Sequence, residues 1–125
     1  MDPYAGLETP GDIELIKQFA LIPILLDMLI RDIEELAIYN NKLVYFHLIH
    51  YVRELATALQ RELQKIKIAM KQQKMLIVRQ ELNAQGIYIE YKVRGYTHRF
   101  EMLRSRIKVE LMILLQNVRR GRHYE

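Results

Sequence analysis

The chain has 125 residues, half of them apolar, so it is one domain with enough apolar material for a single core and too little polarity for wholesale disorder. It has no cysteine, which excludes a disulfide framework, a thiolate metal site and a thiol nucleophile, and fits a reducing, cytoplasmic setting. Net charge is +4 but unevenly spread: residues 1–41 hold eight acids against Lys17 and Arg31, net −6, and residues 42–125 hold 17 Lys/Arg against seven acids, net +10.

Residues 1–9 read as an irregular lead-in, with no basic segment followed by an apolar run and so no expected signal peptide. Thr9-Pro10-Gly11-Asp12 reads as a helix start: Thr9 caps, Pro10 suits the first helical position, and Asp12 favours the positive end of the helix. A helix over 10–39 follows, with an apolar seam at Leu15, Phe19, Ile22, Leu26, Leu29, Ile33 and Leu36, in alternating steps of four and three. Pro23 removes a backbone donor inside this run, so a kink or break is expected near it. The section from Phe19 to Ile30 is apolar nearly all round, yet at twelve residues, with Pro23 and Asp27 inside, it falls short of the roughly 20 that span a bilayer.

Asn40-Asn41 is the best turn before a second helical run, expected over 42–85. Its seam is Tyr45, Leu48, Val52, Leu55, Leu59, Leu63, Ile66 and Met70. A short link between two long helices makes them antiparallel neighbours. The polar run 71–74 marks the place where the second helix would break, but it holds neither Gly nor Pro, and continuity is the expectation. Asn83-Ala84-Gln85-Gly86 then supplies a helix stop.

Residues 87–102 carry the clearest local signal. Ile87–Val93 and Tyr96–Met102 both alternate with period two around an Arg94-Gly95 turn. A two-residue loop sets Val93 opposite Tyr96, Tyr91 opposite His98, Ile89 opposite Phe100 and Ile87 opposite Met102, all on one face. The other face pairs Glu90 with Arg99, Lys92 with Thr97 and Tyr88 with Glu101. A register that sorts both strands this cleanly predicts a hairpin packed on the helices. Helical period returns over 103–118 at Leu103, Ile107, Leu111, Leu114 and Val118, and 119–125 is a basic tail. The expected fold is mainly α: two long antiparallel helices, a β-hairpin and a C-terminal helix, in one domain over 1–125.

No readable catalytic constellation emerges, and an enzyme is not expected. There is no Gly-rich nucleotide loop, and Ser105, the only serine, stands between Arg104 and Arg106 on a helix rather than in a nucleophile elbow. His47, His50 and Glu54 share a helical face, but a tetrahedral metal site needs further ligands, and no Glu-x-x-His occurs for a di-metal bundle. Neither a metal nor a cofactor is expected. The surplus apolar residues Leu21, Ile24, Leu25 and Met28 lie off the first seam and point to a non-enzymatic module that binds another protein, foremost a second copy of itself. The alternative is nucleic-acid binding through Lys67, Lys71, Lys74, Lys92, Arg94, Arg104, Lys108, Arg119, Arg120 and Arg122.

Overall fold

The computed structural model describes residues 9–39 and 41–119. Helix α1 spans Pro10–Leu36. It opens with a reciprocal capping box: the Asp12 N–H donates to Thr9 Oγ1 at 3.1 Å, and the Thr9 N–H donates to Asp12 Oδ2 at 3.0 Å. The helix continues through Pro23 with no break. Pro23 lies on the exposed side, where the carbonyl left without its intrahelical partner can be hydrated. A single 3-10 turn, Ala37–Tyr39, closes the run. Of the expected Asn40-Asn41 turn, Asn40 lies outside the described residues and Asn41 is in a turn before helix α2.

Helix α2 spans Leu43–Gln72 and packs against α1. It stops thirteen residues before the expected 85, and the stretch beyond it is not helix but strand β1, Met75–Leu82. The break falls where the polar run stands. Gln73 and Lys74 N–H groups donate back to Ala69 and Lys71 carbonyls, and Lys74 turns the chain with φ +57°. The sheet is therefore three-stranded and antiparallel in the order β1-β2-β3, with β2 over Gly86–Val93 and β3 over Tyr96–Leu103. A bulge between Ile77 and Arg79 shifts the β1 register, so Met75 and Ile77 share the inner face before it and Gln80 and Leu82 after it.

Asn83-Ala84-Gln85-Gly86 is thus the β1–β2 connection and not a helix stop. Asn83 Oδ1 accepts from the Gln85 and Gly86 N–H groups at 3.0 and 3.3 Å, an Asx-type turn. The β2–β3 hairpin pairs in the expected register at every position, Val93 with Tyr96 through Ile87 with Met102. Arg94 and Gly95 both take positive φ, 51° and 91°, as a two-residue type I′ loop requires. Tyr96 departs from expectation: it belongs to the inner register but is 54% exposed, at the open end of an edge strand. Helix α3, Arg104–Arg119, follows β3 directly.

One core joins α1, α2, α3 and the inner face of the sheet. Ile16, Leu21, Ile22, Leu59, Ile89, Tyr91 and Val93 are its fully enclosed members. Each large aliphatic side chain buried here contributes about 1.5–3 kcal/mol.

Gly86 is fixed by sterics as well as by torsion. It has φ +149°, and a Cβ there would sit 2.0 Å from the Met102 carbonyl oxygen. Gly95, with φ +91°, has open space around it. Gly86→Ala is expected to destabilise the fold by about 2–4 kcal/mol and Gly95→Ala by only about 1 kcal/mol. Urea denaturation of the two variants checks this, and equal losses would remove the steric argument.

Candidate functional site

The two long helices outrun the rest of the molecule. Every buried residue of α1 lies at or before Leu29, and every buried residue of α2 except Ile49 lies at or after Leu55. Since the helices are antiparallel, these thinly packed ends are neighbours and form one projecting tip within residues 30–54. Helix α3 has 16 residues, about 24 Å of helix, against 30 residues and about 45 Å for α2. Burial shows that the third layer does not cover the tip.

The tip is nonetheless rich in large apolar side chains. Ile38, Tyr39, Leu43, Val44, Phe46, Leu48 and Tyr51 are 38–85% exposed. Val44, Leu48 and Tyr51 follow each other in steps of four and three, so they form one stripe on α2, and Leu55 carries that stripe into the core. The Tyr39 and Tyr45 rings lean together across the turn, with centroids 5.4 Å apart. His47 and His50 are exposed beside the stripe, and His50 Nε2 lies 3.3 Å from Glu54 Oε1. Among the described residues no group of three His, Asp or Glu side chains could hold a metal ion.

Charge at the opposite end is used to tie elements together. Asp12 is buried, and Arg94 Nη2 at the hairpin loop donates to its Oδ2 at 3.1 Å. Arg94 also donates from Nη1 to the Gln73 carbonyl at 3.4 Å, and its backbone N–H to the Lys74 carbonyl at 3.0 Å. Burial opposes ionisation of Asp12, but the Thr9 backbone N–H, the Arg94 guanidinium and the Thr9 side chain outweigh it and hold the carboxyl below its ordinary value. A second cluster joins α1 to α3: buried Glu110 meets Lys17 Nζ at 3.4 Å and Arg106 Nη2 at 2.8 Å, and Lys17 also meets Glu14 at 3.1 Å. Burial disfavours the charged Lys17, yet Glu14 and Glu110 together raise its pKa.

The residues singled out from sequence separate accordingly. Leu21 and Leu25 are enclosed in the core and present no surface, because the sheet and α3 share the core cluster with that side of α1. Ile24 is half-buried and Met28 exposed, and both line a cleft against α3. Arg94 is engaged by Asp12. Lys67, Lys71 and Lys74 are exposed on the last turns of α2 and the bend after it, Lys92 on the outer sheet face, and Arg104, Lys108 and Arg119 on α3. Arg120, Arg122 and the rest of the basic tail lie outside the described residues. The outer sheet face is charge-balanced: Arg79, Lys92 and Arg99 stand among Glu81, Glu90 and Glu101, and Arg79 lies 5.1 Å from the Tyr88 ring centroid. The tip residues at 38–51 were missed from sequence. Their signal was an apolar run, Leu43 to Phe46, too dense for one buried stripe.

Among the described residues, no helix is long and apolar enough to cross a membrane. A family model described as YhjD protein matches residues 7–123. No curated protein and no solved structure matches the chain.

Folding lowers the Asp12 pKa below its ordinary 3.8, so its contribution to stability is complete above that value and is lost as pH falls through the lowered one. Asp12→Asn is expected to cost about 2–4 kcal/mol at neutral pH, and the gap to the parent protein to shrink as the pH is taken below 3.8. Denaturant titrations in both pH ranges check this; a gap independent of pH would show that the charge is not what matters.

Proposed function

The chain belongs to the YhjD protein family, and we propose that it is a non-catalytic binding protein that self-associates in the cytoplasm through the tip of its helical hairpin. The observation that carries this reading is the tip itself, where among the described residues of 30–54 only Ile49 is buried. A two-helix layer cannot hide the apolar surface of both helices, and monomeric proteins rarely leave so much of it contiguous and wet. A second copy supplies the missing layer. Two tips laid together by a two-fold axis would form a four-helix bundle. A standard interface takes about 800 Å² from each partner, close to a tenth of the 8803 Å² surface of this chain.

Exposed positions make the test clean. Val44→Glu with Tyr51→Glu places two carboxylates in the stripe without touching the core. The parent protein is expected to run as a dimer at about 50 μM in light scattering at both low and high salt, and the double variant as a folded monomer, its association weakened about a hundredfold or more. A parent protein that stays monomeric at that concentration would overturn the reading. Co-elution with a mixed DNA and RNA pool that is lost at high salt would also move the account, to the exposed Lys67, Lys71 and Lys74.

A further inference from the structure

Away from the tip, α1, the end of β1 and the first half of α3 enclose a cleft of 220 Å³. Ile24, Met28, Leu82, Ile107 and Leu111 supply apolar walls, and Arg104 and Lys108 are the polar members of its lining. An adjoining hollow of 270 Å³ shares Ile24 and Leu82 and has Asp27 and Glu81 in its lining, the first paired with Arg31 at 2.7 Å and the second with Arg79 at 3.8 Å. The first hollow thus has two cations in its lining and the second two carboxylates.

The two cations stand one helical turn apart on the same face of α3. Arg104 is anchored over the β1–β2 connection: its N–H donates to the Gln85 carbonyl at 2.9 Å and its Nη1 to the Asn83 carbonyl at 3.5 Å. Among the described residues neither Arg104 nor Lys108 forms an ion pair, whereas Arg106 between them is committed to Glu110. Like charges at this spacing repel, and an anion set between them relieves the repulsion. Apolar walls with a few convergent polar groups are the usual make-up of a small-molecule site.

We propose that this cleft binds a small amphipathic anion, an aliphatic chain ending in a carboxylate, with the carboxylate between Arg104 and Lys108 and the chain over Ile24, Met28 and Leu82. A cavity of about 150 Å³ admits benzene, so 220 Å³ holds roughly eight carbons on the same scale. Asp27 and Glu81 line the adjoining hollow and not the cleft, so a carboxylate is favoured between the two cations over the neighbouring space.

The test is a titration of the full chain with octanoate, read at the Met28 methyl by NMR, with octanol as the uncharged control. Saturable binding of octanoate is expected, with octanol weaker by about tenfold or more. Lys108→Gln and Lys108→Glu are expected to weaken octanoate by a similar factor, and Met28→Trp, which fills the cleft from an exposed position, to abolish it. The proposal does not rest on self-association, and binding is expected to persist in the Val44→Glu/Tyr51→Glu monomer. No saturable shift with octanoate, equal affinity for octanol, or insensitivity to both Lys108 variants would each overturn it.

Discussion

Asp12 is where the fold is locked. Through it the start of α1 is capped and held to the hairpin loop by Arg94, 82 residues away, while Arg94 also receives the end of α2 through Gln73 and Lys74. Among the described residues, the two non-glycine residues with positive φ, Lys74 and Arg94, both lie at this junction. Such torsions cost of order 1–3 kcal/mol each and persist where surrounding bonds over-determine them. Arginine is a poor choice for a type I′ loop by conformation alone, and the ion pair to a buried carboxylate gives the reason for it. A buried pair of this kind adds little net stability over a well-packed apolar one, but breaking it on one side is costly, so it selects one docking of hairpin on helix over others.

From that junction the packing thins along the helical hairpin. Near Asp12 the helices are covered by the sheet and by α3, which Glu110 fastens to Lys17. Beyond Leu29 and before Leu55 they have little besides each other. Segments with few buried contacts open most easily, and binding surfaces are drawn from that end of the stability range. Residues 30–54, a fifth of the chain that contributes little to the core, therefore also hold eight of the 19 exposed large apolar side chains among the described residues.

How far the sequence revealed this depended on how far period and chemistry agreed. The β2–β3 register was legible residue by residue, because strict alternation on both strands and a glycine at the second loop position all pointed one way. The α1 cap was legible for the same reason. Strand β1 was not. Its bulge at Ile77/Arg79 reverses which side chains face inward, so no single period runs through Met75–Leu82, and the break before it is made by a lysine rather than a glycine. The signals present were the end of the helical seam at Met70 and the β-branched pair Ile77-Val78. Of the four apolar residues first assigned to an interface, Leu21 and Leu25 serve the core that the unforeseen third strand helps to build. The apolar residues off the first seam are thus accounted for in part by a core that the two-strand expectation made too small.

The charge layout bears on the proposed self-association. Residues 30–54 carry Arg31, Lys42 and Arg53 against Asp32, Glu34, Glu35 and Glu54, net −1, which leaves +5 on the remainder of a chain whose total is +4. Two copies approaching tip to tip bring together nearly neutral apolar surfaces. Two copies approaching through the basic end of α2 and α3 bring together like charge, which costs energy on contact and slows encounter. The exposed cations Lys67, Lys71, Lys74, Arg104 and Lys108 that read as an attraction for acidic partners therefore also disfavour contacts between copies through that surface. A contact between identical surfaces needs that kind of discrimination, since apolar stripes alone do not specify how they are joined.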